Sequence, residues 1–250
     1  MGEERMYILA LAAYKLPEPF SFPWRLIIHL SGGIIMSKSI AAGTVSAKSE
    51  GSISAIRKLV FIAILGAISF VLMLINFSLP FAPSFLKFDI AELPGLFAGF
   101  FLGPLAGFGV VVIKLLLKIA IQGSETAFVG EFSNLVSSTL FVVLAAWIYK
   151  LNRTKKGAVI AMAVSTVAVS IMAIFLNSFI MFPLYSRLYG MPLEAIIGMG
   201  TKINPHITNL TTMMLFSVFP FNLVKHLVTS VITFLVYKRA GNVLRSILYN

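Results

Sequence analysis

The sequence contains no cysteine. That absence removes disulfides, thiolate catalysis and cysteine metal sites together, while leaving the redox compartment open. Acids are scarce: nine Asp and Glu stand against 20 Lys and Arg, for a net charge of +11. Asp89 is the only aspartate, which excludes a protease built on two intramembrane aspartates. No GxxxxGK followed by Ser or Thr occurs, so the chain carries no P-loop of its own; HExxH and GxSxG are missing too. His29, His206 and His226 have no metal-site spacing, and no metal is expected. The halves do not repeat, which argues against an inverted-repeat transporter. What fills the chain instead is apolar bulk. At 58% hydrophobic, 12% charged and a mean hydropathy of +0.95, it is an integral membrane protein. The basic excess belongs to cytoplasmic loops and not to nucleic-acid binding, because no basic run is interleaved with aromatics.

Hydropathy and punctuation predict an all-α membrane domain over residues 55–240 with six transmembrane helices, followed by a cytoplasmic tail at 241–250. Residues 1–54 differ. Pro17, Pro19 and Pro23 break that stretch into runs too short to span, and neither a signal peptide nor a myristoylation motif is present. The stretch reads as a disordered extension or as residues upstream of a start at Met36. The predicted spans are Leu59–Phe77, Ile90–Leu102, Pro104–Ile121, Phe128–Tyr149, Ala158–Pro183 and Pro220–Tyr237, with Leu184–Leu215 as the largest connection. Arg57 and Lys58, the cluster from Lys150 to Lys156, and Lys238, Arg239 and Arg245 then share one side, so both ends are cytoplasmic. The acids Asp89, Glu92, Glu125, Glu131 and Glu194 fall on the outer side or just beneath it.

The stretch from Phe85 to Gly109 is the most informative. Lys87, Asp89 and Glu92 lead into Pro94, after which Gly95, Gly99, Gly103 and Gly107 recur every four residues. On a helix that spacing lines small residues along one side and lets backbones approach. Gly103-Pro104 reads as a tight turn between two helices. The second, fourth and sixth spans all enter from outside, and all carry polar residues near their starts: Asp89 and Glu92, Glu131 and Asn134, Asn222 and Lys225. Ionisable groups at that depth need a cavity or one another. The pattern therefore describes an outward-facing pocket for a polar-edged solute. Plainer roles stay open for each residue. Lys225 can snorkel or pair with Glu131, Asn134 and Asn222 can glue helices, and the two acids of the second span can sit in water at a helix start. Lys114 and Lys118 share one face of the third span, with Lys118 placed to snorkel, and His226 is expected to pack within the bundle.

The ordered set of motifs resembles the S components of energy-coupling factor (ECF) transporters, most closely those specific for riboflavin. It comprises Ala63 and Ala67 as AxxxA, PFAPSFLKFDIAELP, GPLAG, IKLLLK, GEFSN, FLNSFIMFPLY and PFNLVKHL, over about residues 53–240. The resemblance implies a six-helix subunit of a prokaryotic plasma membrane that captures riboflavin from outside as cargo and holds no cofactor. It also implies association with a transmembrane T subunit and two cytoplasmic ATPases, whose cycle topples the S component and releases the vitamin. On that footing Asn134, Asn222 and Lys225 meet the polar edges of the flavin, and Asp89 serves the ribityl chain or fixes the loop. Phe85, Leu86 and Lys87 form a lid, Glu131 is a further substrate-binding residue, and Ala63 and Ala67 dock the T subunit or pack within the bundle. The alternatives are an S component for another vitamin, an intramembrane enzyme using Glu131 or Lys225, and a self-sufficient facilitator.

Overall fold

The computed structural model describes residues 55–124, 126–190 and 192–249, with side chains through Tyr237; residues 1–54 and Glu125 lie outside the described residues. Helix α1 covers Ala55–Leu74, α2 Glu92–Leu102, α3 Pro104–Gln122, α4 Val129–Leu151 and α5 Lys155–Leu176. After α5 come a π-helical turn, Asn177–Met181, and then α6, Phe182–Tyr189. Helices α7, Leu193–Thr201, and α8, Leu210–Met213, lead through a second π turn, Met214–Val218, into α9, Phe219–Tyr249. Five helical runs are long and apolar enough to cross a membrane, among them Lys155–Tyr189 with 35 residues and Leu210–Tyr237 with 28. The sixth expected span, α2, has only 11 residues and is not among them. At a rise of about 1.5 Å per residue it crosses roughly half of a bilayer core.

Two expectations need correction. The connection after Pro183 is largely helical, and the last span begins at Leu210 instead of Pro220. Both prolines lie inside continuous helical runs. A proline ring clashes with the carbonyl four residues back, and a π turn moves that carbonyl aside by adding one residue. In each run the bond five residues back is made by the phenylalanine just before the proline: Phe182 N–H donates to the Asn177 carbonyl, and Phe219 N–H to the Met214 carbonyl. Helix α9 runs on through residues 241–249.

The glycine ladder acts as the spacing predicted. Gly103, with φ of 103°, closes α2 and opens α3, a conformation that suits glycine. A Cβ on Gly99 would lie 2.8 Å from the Ala146 Cβ, and one on Gly107 would lie 2.7 Å from Val142 Cγ1 and 3.0 Å from the Gly95 carbonyl oxygen. Helices α2, α3 and α4 therefore touch nearly backbone to backbone. The buried core of this half runs through Leu96, Phe100, Val111, Phe141 and Val142 to Tyr149, whose hydroxyl bonds that of Tyr237. A second core, Val129, Leu176, Met181, Phe182, Ile196, Ile207 and Met213, joins α4 and α5 to the outer helices. Between α1 and α2, strands β1, Phe77–Ser78, and β2, Lys87–Phe88, pair antiparallel and tie off the proline-held loop. Ala82 and Phe88 of that loop pack on Phe221 of α9.

Replacing Gly107 with valine should destabilise the detergent-solubilised protein by about 1–3 kcal/mol through overpacking. An unchanged denaturation midpoint would mean that the helices do not approach this closely.

Candidate functional site

A cavity of about 400 Å³ lies where the loop, α2, α3, α4, α5 and α9 converge. Its position follows from charge. Lys114, the eleventh residue of the 19-residue α3, is completely buried, at 0% exposure. An ammonium so placed cannot snorkel to water and needs partners in place. It donates to Glu92 Oε1 at 3.4 Å and to Ser138 Oγ at 3.0 Å. Ser138 Oγ lies 2.8 Å from Glu92 Oε1 and 3.0 Å from Asn134 Oδ1. Its single proton serves one of these acceptors at a time. Glu92 Oε2, on a residue 2% exposed, has no hydrogen-bond partner among the described residues.

A second buried pair lies beside the first. Lys225 of α9 donates to Asp89 Oδ2 at 2.9 Å, while Asp89 Oδ1 accepts the Ala91 N–H at 3.0 Å. Asp89 thereby fixes the entry into α2, and the Ala91 carbonyl accepts a bond from Ser69 of α1. The pairing of Lys225 with Glu131, open from the residues alone, is not formed. Glu131 instead accepts from Lys118, Ser124 and Thr126. It holds the α3–α4 turn and does not line the cavity, though Lys118 does. This corrects the expectation that Glu131 stands at the site: both of its oxygens are committed to its own turn. Lys118, expected to snorkel, is likewise committed to a carboxylate.

Asn134, Asn222, Lys225, Asp89, Phe85, Leu86 and Lys87 all line the cavity. So do Glu92 and Asn177, which were not singled out as site residues. Asn177 opens the first π turn, and its amide nitrogen donates to the Ala173 carbonyl at 2.8 Å. Asn222 repeats the arrangement on α9, donating to the Val218 carbonyl at 2.8 Å. Each amide keeps its carbonyl oxygen as an acceptor. His226 packs edge-on to Phe141, and its Nδ1 lies 2.8 Å from the Asn222 carbonyl. Because a carbonyl only accepts, Nδ1 carries the proton, and a neutral ring keeps Nε2 as an acceptor. The signal for Asn177 was available: an amide near the outer end of an apolar span, as at Asn134. Glu92 was noted in the polar layer, but its free oxygen depends on how Lys114 and Ser138 are placed.

Taken together, the cavity offers Lys225 as donor and Glu92, Asn177, Asn222 and His226 as acceptors, between apolar walls such as Met73, Leu86, Met181 and Phe221. Three carboxylates are matched by three lysines, so these pairs bring no net charge. Lys87, bonded to Ser78 Oγ, adds a further ammonium to the lining, and the hollow suits a solute with apolar faces and polar edges. Among the described residues, no group of His, Asp and Glu could hold a metal ion.

The family model for the substrate-specific component of ECF transporters matches residues 57–237. The chain belongs to that family. It is a membrane-embedded transport subunit and not an enzyme, which removes the intramembrane-enzyme alternative. The riboflavin transporter RibU of Staphylococcus aureus (strain TCH60) is 32% identical over 191 residues, covering 76% of this chain and 94% of that protein. The riboflavin transporter FmnP of Bacillus subtilis (strain 168) is 32% identical over 183 residues, 73% of this chain and 90% of that one. A solved S component of a bacterial ECF transporter superposes with a TM-score of 0.60 at 31% identity, covering 77% of this chain and 99% of its own.

Lys114→Met should cost roughly 3–5 kcal/mol of stability, because it strands the buried Glu92. Adding Glu92→Gln should restore at least half of the lost denaturation midpoint. A double variant as unstable as the single one would show that the two charges are not coupled.

Proposed function

We propose that this S component captures riboflavin at the outer side of a prokaryotic plasma membrane. It presents the vitamin to a transmembrane T subunit driven by two cytoplasmic ATPases. The observation that carries the reading is the hollow itself, with amides from three helices and Lys225, held by Asp89, around apolar walls. Riboflavin is uncharged. Its isoalloxazine ring needs a flat apolar slot, the pyrimidine edge needs paired donors and acceptors, and the ribityl chain needs several hydrogen bonds. Asn134, Asn177, Asn222 and Lys225 can supply the polar contacts, with the uncommitted oxygen of Glu92 as a further acceptor. Phe85, Leu86 and Lys87 flank the entrance, and Asp89 holds Lys225 and the loop in place. Relatives named riboflavin transporters, matched over most of their length, support the same ligand over another vitamin.

Riboflavin here is cargo, and no resident cofactor is required. Without a P-loop in the chain, the energy for release comes from partner subunits. Ala63 and Ala67 are exposed on the outer face of α1 together with Val60, Ile64 and Ile68. That small-residue stripe is the surface we assign to the T subunit, in preference to packing within the bundle.

The purified protein should quench riboflavin fluorescence on titration, at one flavin per chain. Lys225→Ala, Asn134→Ala and Asn177→Ala should each weaken binding more than tenfold, about 1.4 kcal/mol or more. Titrations unchanged by these substitutions would remove those residues from the site. Ala67→Trp should leave riboflavin binding intact while abolishing ATP-dependent uptake in proteoliposomes reconstituted with the partner subunits. Uptake equal to that of the unsubstituted protein would place the docking surface elsewhere.

A further inference from the structure

A second cavity of about 390 Å³ opens beside the first, and Phe85, Lys87 and Tyr185 line both. Its remaining lining differs in kind. Phe182, Tyr189, Ile196 and Met199 dominate it, and at its edge the Thr126 hydroxyl and the Lys87 ammonium are already bonded. Thr126 Oγ1 donates to Glu131 and accepts the Gly130 N–H, and Lys87 Nζ donates to Ser78 Oγ. The rings form two pairs around it. Phe85 meets Phe182 edge-on at a centroid distance of 5.9 Å and an angle of 89°, and Tyr185 meets Tyr189 at 5.9 Å and 37°. Phe85 is 37% exposed and belongs to the loop that divides the two hollows.

We infer that this outer cavity is a vestibular subsite for the planar aromatic ring of the incoming ligand, occupied before the ring passes Phe85 into the inner cavity. The inference rests on the riboflavin reading above and deepens it. An aromatic-lined hollow, polar only at a few hydroxyls and the Lys87 ammonium, holds a flat ring by area and edge-to-face contact. Such contact is weakly specific and quickly reversed. The inner cavity, with its amides and paired charges, then confers tightness and selectivity. Continuity between the two through Phe85 and Tyr185 makes the occupant of the outer one the same molecule. Capture is therefore a two-step event, in which ring contact comes first and matching of the polar edges second.

Stopped-flow fluorescence of riboflavin mixed with the purified full chain tests this. In the unsubstituted protein the observed rate should rise with riboflavin and then saturate as the vestibule fills. Tyr189→Ala combined with Met199→Ala, both outside the inner cavity, should raise the half-saturating concentration by about fivefold or more. Tight equilibrium binding at one flavin per chain should persist, which also shows that the variant is folded. Met199→Ala alone should move the half-saturation the same way by a smaller factor. A rate linear in riboflavin together with tight equilibrium binding overturns the vestibule and leaves the inner site standing. A saturating rate that neither variant shifts does the same. Absence of tight equilibrium binding in the unsubstituted protein overturns the riboflavin reading, and the vestibule with it.

Discussion

Three ammonium groups sit inside an apolar bundle, and each has to find a carboxylate on another segment. Desolvating such a charge costs several kcal/mol, which only a well-placed partner offsets. Lys114 of α3 takes Glu92 of α2, Lys225 of α9 takes Asp89 just ahead of α2, and Lys118 of α3 takes Glu131 of α4. These matches join α2, α3, α4 and α9, so the same requirement that neutralises the charges also fixes which helices meet. Two of the pairs converge on the start of α2, which is short because a charged, proline-held loop replaces its outer part. The hollow lies above that start, where apolar side chains cannot cover the polar groups without leaving them unpaired.

The outer ends of the long runs are shaped by a different constraint. Pro183 and Pro220 would break a regular helix, and the π turns ahead of them carry the helical path through. Each widened turn is accompanied by an asparagine, at 177 or 222, whose amide caps a carbonyl of its own helix and lines the cavity. The first π turn borders the polar hollow through Asn177 and Met181, and in both turns the helical bonding of the backbone continues, as a membrane interior demands. Function follows the same division. One half holds the polar cavity and its aromatic neighbour, the other a close-packed glycine-lined core, and α1 carries an exposed small-residue stripe.

Much of this was legible in the residues. Hydropathy located the five long apolar runs and the short helix α2, and the four-residue glycine period announced the close contact that Gly99 and Gly107 make. The rule that a polar group in a membrane needs a partner or a cavity brought Asp89, Asn134, Asn222 and Lys225 to one layer, where they line one hollow. Glu131 obeyed the rule by its other branch, finding partners in its own turn. Pairing could not be read in advance, since any of the lysines could in principle meet any of the acids. The helical content of residues 184–215 was hidden as well, because two prolines within apolar runs look like stops when the π alternative is not weighed.

Composition and period by themselves determined that this chain lives in a bilayer and which residues are too polar to face lipid. These are properties of single segments, set by transfer energies that depend on residue type alone. Only the tertiary structure decided that Lys225 faces Asp89, that Lys114 lies wholly buried under Glu92, and that Asn177 joins the site. Partner choice among buried charges depends on distances between segments far apart in the chain, and those exist only once the helices have packed.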